Sequence, residues 1–306
     1  MKILLTGAAG QFAQVVAQRL SADHLVVGID VRALPPGRVF PGEFQQVKRY
    51  NHRRVAEVFR RHQPRKLIHL GVRGVTARGL SQGYTQNVLG TRHLLAMAER
   101  YGVRSVLAMT SFHVYGAHQH NPVNIGEDAP LRASQLFPEL VDVVELDHAL
   151  TTFMWRNRNI ATIVLRPCNI IGPSLRNRMT RLLASERCPK LVGFDPMMQF
   201  LHEQDAARAV LKAARSGSWG VYNVAGEGAI AWSHAIQLAG GEPLRLPHFV
   251  AYPVVGVLSR LRLVFPKHLM DYFRYPAVID DSAFRLDFDF QPKYSTVETL
   301  RSVSGR

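Results

Sequence analysis

Short apolar runs alternate with amphipathic stretches through the first two-thirds of the chain. Residues 3–5 read as a buried strand, which turns through Thr6-Gly-Ala-Ala-Gly10 into a segment where Phe12, Val15, Val16 and Leu20 recur at helical spacing. Further strands are predicted over 26–29, 66–71, 105–110 and 159–166, with a weakly marked one around 46–49. Helical patterns fill the gaps, most clearly over 87–100 and 141–155. Strand and helix alternating in this way predict an α/β protein: a doubly wound parallel sheet with right-handed crossovers and helices on both faces. After Pro173 the pattern becomes irregular. Residues 219–225 read as a strand rejoining the main sheet, and 226–276 as a small helical lobe. The expected division is a nucleotide-binding domain over 1–172, with strand 219–225, and a mainly C-terminal substrate lobe over 173–306.

The first strand–turn–helix carries chemistry. Gly7 permits a tight turn, and Gly10 has no Cβ to block a phosphate approaching the backbone. The helix that follows offers free N–H groups and a positive dipole end to a pyrophosphate. Ala13 fills the third small position, where close packing is needed. Asp30 ends the second strand about 20 residues on, placed to hold a ribose hydroxyl. A bound dinucleotide is therefore expected. Asp30 favours NAD, while Arg32 would accommodate the 2′-phosphate of NADP.

Composition narrows the setting. The chain has 306 residues, 47% of them hydrophobic and 20% charged, as in an ordinary globular protein. Two cysteines, Cys168 and Cys188, argue against a disulfide framework and suit a reducing cytoplasm. The longest apolar stretch, 249–265, is broken by Pro253, Arg260 and Arg262, so no membrane span is expected. The net charge of +15 is less ordinary. Lys48, Arg49, Arg53, Arg54, Arg60, Arg61, Arg65, Lys66, Arg73 and Arg78 face only Glu57 among acids. A solvated basic face explains this run, with peripheral contact to an anionic membrane as the functional counterpart. No nucleic-acid motif accompanies it, and the amphipathic stretch 250–273 reads as part of the substrate lobe.

Several segments then resemble, in order and spacing, the extended short-chain dehydrogenases/reductases of the NAD-dependent epimerase/dehydratase family, UDP-glucose 4-epimerase among them. They are Thr6-Gly-Ala-Ala-Gly10, Asp30, His69-Leu-Gly71, Asn87-Val-Leu-Gly-Thr91, Thr110-Ser-Phe-His-Val-Tyr-Gly116 and Arg166-Pro-Cys-Asn-Ile-Ile-Gly-Pro173. Phe200-Leu-His-Glu-Gln-Asp205 and Leu286-Asp-Phe-Asp-Phe-Gln-Pro292 resemble later family segments. The resemblance implies a Rossmann domain with NAD bound, a small substrate lobe and usually a nucleotide-sugar substrate. By position, Gly7, Gly10, Gln11 and Phe12 would line the pyrophosphate, and Asp30 the adenine ribose. Leu70, Gly71 and Val72 would border the cofactor, and Asn87 would lie near the active site. Cys168 and Asn169 would adjoin nicotinamide and substrate, and Ser111 matches the catalytic Ser/Thr. Arg176, Arg178 and Arg181 follow the turn that receives substrate phosphates. A homodimer is left open.

One part of the resemblance fails. The family's proton chemistry rests on a Tyr and a Lys four residues later, on the helix between Ser111 and Arg166. This chain has no Tyr between Tyr115 and Tyr222 and no Lys between Lys66 and Lys190. The family interval counted back from Arg166 puts the Tyr position at Glu139 and the Lys position at Val143. Glu139 becomes a candidate acid/base, although after Pro138 it also suits the start of a helix. His113 is a further candidate. The Cys168 thiol has no cationic partner in view and reads as packing, and Asp205 reads as a helix cap. His202-Glu203 lacks the second histidine of a metal helix, so no metal is expected. The expected function is a family member with a diverged active site. A catalytically silent dinucleotide-binding protein is the alternative.

Overall fold

The computed structural model describes residues 1–72, 83–247 and 267–304. Its strands in chain order are β1 Lys2–Thr6, β2 Leu25–Asp30, β3 Glu43–Gln46, β4 Lys66–His69, β5 Ser105–Met109, β6 Ala161–Pro167, β7 Asn169–Ile171, β8 Arg187–Leu191, β9 Met197–Met198, β10 Phe200–His202, β11 Gly220–Val224, β12 Ile230–Ala231 and β13 Glu242–Leu246. Seven of them form one parallel sheet in the order β11-β6-β5-β4-β1-β2-β3. The strand order reverses beside β1, so the carboxyl ends of β1 and β4 open a crevice there.

The principal helices are α1 Gln11–Leu20, α2 Arg53–His62, α3 Gly90–Arg100, α4 Val141–Arg156, α5 Arg178–Leu183 and α6 Glu203–Arg215. Ala13, Val16, Ala17 and Leu20 of α1 share one core with Ala206, Ala209, Val210 and Ala213 of α6. Val55, Val58 and Phe59 of α2, Leu94 and Leu95 of α3, and Leu146, Leu150 and Phe153 of α4 share another with the opposite faces of the strands. Apolar residues at helical spacing therefore cover both sheet faces, as the pattern predicts. A third core joins β8, β10 and the helix Trp232–Leu238 in the smaller lobe.

Four expectations are corrected. The weak third strand lies three residues earlier than predicted, at Glu43–Gln46, with Asp30 in register with Gln46. It is a half-exposed edge strand, and the buried Val47 just beyond it drew the apolar period toward 46–49. The stretch 226–276 is not simply helical: β12 pairs antiparallel with β9, and β13 pairs parallel with β8. Residues 248–266, with most of the amphipathic stretch at 250–273, lie outside the described residues. Asp205 does not cap α6. His202 does, accepting the Gln204 N–H, while the buried Asp205 carboxylate accepts the Lys293 and Tyr294 N–H groups and pairs with Arg208. On α2 the four arginines are exposed over a buried Val55, Val58 and Phe59. Lys66 leaves that basic face: it is buried in β4 and donates to the Ala214 carbonyl at the end of α6. Arg73 and Arg78 lie outside the described residues.

A polar seam runs through the apolar interior. Arg166 on β6 grips Asp147 on α4 through two bonds of 2.9 and 2.6 Å, and both side chains are 5% exposed or less. Thr110 donates to the same carboxylate at 2.9 Å. Arg166 also donates to the Tyr115 hydroxyl and the Glu127 carbonyl, and Tyr115 donates to Asn223 on β11 at 2.7 Å. Burial alone would weaken the guanidinium's hold on its proton. The Asp147 bonds and charge outweigh that and raise its pKa. Removing one partner of a buried pair strands the other charge. Arg166→Met should therefore lower unfolding free energy by about 3–5 kcal/mol in denaturant titration. A loss within the surface-mutation range of about 0.5 kcal/mol would show the seam to be dispensable.

Candidate functional site

The turn after β1 is built for close backbone approach. Gly7 has φ +73°, and a Cβ there would lie 2.7 Å from the Gly71 Cα. A Cβ on Gly71 would overlap the Tyr50 hydroxyl. That hydroxyl accepts the Gly7 N–H at 2.9 Å, and burial raises its pKa, so Tyr50 stays neutral. Gly10 donates to the Gly7 carbonyl at 2.8 Å and sits at the N-cap of α1. No side chain caps α1, and its first turn holds no acidic residue. The first N–H groups of α1 are thus offered to an anion, which fits a pyrophosphate.

At the end of β2 the carboxylate of Asp30, 2% exposed, is fully engaged. It accepts the Ala9 N–H and the Arg32 N–H at 2.9 Å each, and the Arg32 guanidinium at 3.3 and 3.0 Å. Arg32 lies against Gly10, whose Cβ would come 3.3 Å from a guanidinium nitrogen. The hydrogen bond to Asp30 raises the Arg32 pKa, and a fixed cation stands beside the acid. At the other side of the loop, His69 bridges Thr6 (2.6 Å) and Thr91 (2.8 Å), and the Thr6 hydroxyl accepts the Gly71 N–H at 3.1 Å. Complete burial lowers the His69 pKa to about 4, so the imidazole is a neutral strut.

Beyond the carboxyl ends of β4, β5 and β6 lies a cavity of about 530 Å³. One wall is Leu70, Val72, Met109, Thr110 and Ser111, continuing through Pro167, Cys168 and Asn169. Leu140 and Val143 approach from the start of α4, and Arg178, Met179 and Arg181 from α5. Met197, Met198, Tyr272 and Phe273 close it from the lobe. Ser111 is the N-cap of the 3-10 turn Phe112–Tyr115. Its Oγ lies 2.7 Å from His113 Nδ1 and accepts the His113 N–H at 3.3 Å. The His113 ring packs on Phe112 at 4.2 Å and on Tyr272 at 4.7 Å, and Tyr272 donates to the His113 carbonyl.

The predicted site residues divide between these two places. Gly7, Gly10, Asp30, Arg32 and Gly71 meet at the turn, with Gln11 and Phe12 opening α1. Leu70, Val72, Ser111, Cys168 and Asn169 line the cavity. Burial pushes the Cys168 thiol up to about 12, as suits a packing residue. Asn87 is buried beside the cavity wall and donates to Asp142 at 2.7 Å. Arg176 is exposed, and its backbone N–H donates to Gln11 at 2.7 Å; the lining arginines are instead Arg178 and Arg181. Glu139 is half-buried in the 3-10 turn Pro138–Leu140 and does not line the cavity, where its neighbours Leu140 and Val143 stand. No group of His, Cys, Asp and Glu that could hold a metal occurs among the described residues. Nor is any described helix long and apolar enough to cross a membrane. Sequence reasoning missed Tyr50 and Tyr272. A lone Tyr near the start of a basic stretch carries no signal of its contact with a loop 43 residues earlier in the chain.

Residues 3–225 match the NAD-dependent epimerase/dehydratase family. An uncharacterized protein of Mycobacterium tuberculosis is 30% identical, over 97% of this chain and 82% of its own length. Among solved structures, UDP-glucose 4-epimerase of Thermotoga maritima with UDP-glucose superposes with a TM-score of 0.77 at 19% identity, over 99% of this chain and 97% of that one. The Bordetella bronchiseptica enzyme WbmG, in complex with NAD and UDP, gives 0.78 at 17% identity, over 98% and 92%.

Two outcomes test this geometry. Arg32→Ala should weaken NADPH binding about tenfold or more while leaving NADH binding unchanged or tighter, read by fluorescence titration. An equal loss for both would remove Arg32 from the ribose site. Between pH 6.5 and 4 unfolded His69 binds a proton that the folded imidazole refuses, so stability rises with pH across that window and is lost as pH falls through it. His69→Asn should flatten the slope of unfolding free energy there by up to about 1.4 kcal/mol per pH unit. An unchanged slope would mean that His69 protonates freely.

Proposed function

The chain belongs to the NAD-dependent epimerase/dehydratase family, and on that premise we propose that it binds NAD at the Gly7–Gly10 turn and acts on a nucleotide-linked sugar in the adjoining cavity. The observation that carries this reading is the cavity itself. Ser111 stands at its sheet end, with the cations Arg178 and Arg181 in the same lining. Guanidinium groups bind a diphosphate through paired donors, which would leave the sugar directed toward the strand ends. The UDP-glucose and the NAD with UDP held by the two structural neighbours are of this chemical class.

NAD, when bound, supplies a two-electron acceptor. In this reading Gly7 and Gly10 admit the pyrophosphate to the backbone, and the Gln11 and Phe12 N–H groups bind it. Asp30 and Arg32 hold the adenine ribose. Leu70, Gly71, Val72 and Cys168 shape the nicotinamide end and exclude water, and Asn87 steadies α4 through Asp142. Ser111 hydrogen-bonds the reacting substrate oxygen, while Asn169 borders the substrate. The dyad positions are the point of divergence, since Val143 is apolar and the lining beside it is Leu140. Those two side chains also favour a second reading, in which the dinucleotide stabilises the fold and no reaction follows.

Titration with NADH and NADPH, followed by a nucleotide-sugar panel with NAD, separates the two. Turnover that falls about 10²-fold in Ser111→Ala supports the enzyme. Micromolar binding without turnover supports the silent protein, and no binding of either dinucleotide removes both.

A further inference from the structure

We propose that Ser111 and His113 together form the proton relay of this site, with the His113 imidazole taking the proton that the family's absent tyrosine would carry. This rests on the reading above that a nucleotide sugar is oxidised at the cavity. Three observations place the relay. Both side chains line the cavity, at its sheet end. Ser111 Oγ and His113 Nδ1 are 2.7 Å apart, the separation of a nucleophile or donor hydroxyl from its base. The imidazole is held in place by Phe112 at 4.2 Å, by Tyr272 at 4.7 Å and by the Tyr272 hydrogen bond to its own carbonyl.

The chemistry of the remaining lining points the same way. The other titratable or charged side chains described around the cavity are Cys168, Arg178, Arg181 and Tyr272. Burial raises both the Cys168 thiol and the Tyr272 hydroxyl well away from neutrality. Arginine does not release its proton in proteins. Imidazole alone among these groups ordinarily gains and loses a proton between about pH 5 and 8. Leu140 and Val143, from the helix where the family keeps its proton chemistry, have none to offer.

The step balances as follows. The substrate's carbinol C–H bond breaks with its electron pair passing to oxidised NAD. The substrate O–H proton passes to Ser111 Oγ as the Ser111 hydroxyl proton passes to His113 Nδ1. The carbinol becomes a carbonyl, the dinucleotide is reduced, and His113 leaves the step as imidazolium. Return of electrons and proton regenerates a carbinol. The relay requires His113 in the tautomer with Nε2 protonated and Nδ1 accepting.

Nitrogen NMR of 15N-histidine-labelled protein tests the relay apart from turnover, with His113→Gln assigning the signal. The expected spectrum shows an unprotonated Nδ1 near pH 8 that titrates toward imidazolium on acidification, with a midpoint that shifts in Ser111→Ala. In the nucleotide-sugar assay His113→Gln should lower kcat about 10²-fold and abolish the limb of the pH profile that matches the NMR midpoint. NAD affinity should be unchanged, and the exposed His120→Gln should match wild type throughout. A protonated Nδ1 at neutral pH overturns the relay, whether or not His113→Gln folds. So does a wild-type pH profile in His113→Gln, which leaves the enzyme reading intact. Protein that binds NAD but never reduces it with any nucleotide sugar overturns that reading and the relay with it.

Discussion

The ion pair between Asp147 and Arg166 is sealed from water, and the sheet side of the cavity and the start of α4 are fastened to it. Two charges removed from water cost several kcal/mol each unless their bonding capacity is filled. Here it is filled only when β6, α4, the 3-10 turn Phe112–Tyr115 and β11 converge. Thr110 binds Asp147 and precedes Ser111 in the chain. Tyr115 binds Arg166 and closes the turn that carries His113. Arg166 leads into Pro167 and Cys168, and Asp147 lies one helical turn beyond Val143. On the sheet side and at the start of α4, the residues that face the cavity are thus neighbours in sequence of residues locked around the ion pair. A rigid base of this kind is what a site needs to hold a 2.7 Å contact such as Ser111–His113.

The dinucleotide turn depends on a different constraint, the absence of side chains. Gly7 and Gly71 pass so closely that a methyl group on either would strike backbone or the Tyr50 ring. Tyr50 fills the space behind them and satisfies the Gly7 N–H, leaving the α1 N-terminus uncapped for an anion. The turn offers what phosphate binding requires, while the start of α4 presents the apolar Leu140 and Val143 to the cavity. The polar groups that remain near the strand ends lie on the other side of the cavity, in the turn after β5. The two regions are held by separate networks, Tyr50 and His69 for the turn and Asp147–Arg166 for the sheet side of the cavity.

The alternation of strands and helices, the glycine turn, Asp30 and the missing Tyr and Lys were all legible in the sequence. Each is a local fact: an apolar period, a residue without Cβ, or a residue type present or absent between two motifs. Helix faces could likewise be read, since Val55, Val58 and Phe59 are buried where their spacing puts them. The edge strand Glu43–Gln46 was misplaced because an edge exposes half its residues and blunts the period. The strands of the lobe were missed because β13 pairs with β8, more than 50 residues earlier in the chain by the register Glu242↔Arg187.

By itself the sequence determined the fold class, the glycines of the first turn and the absence of Tyr between Tyr115 and Tyr222 and of Lys between Lys66 and Lys190, because these follow from residue types at fixed positions along one chain segment. Tertiary structure alone decided which side chains share the cavity. It set Tyr272 against the His113 ring, 159 residues away from the carbonyl it binds, and it left Glu139 outside the lining. Spacing along a chain says which face of a helix or strand a residue occupies. What that face meets is set by crossovers and by buried pairs such as Asp147–Arg166, and those join residues that no local pattern relates.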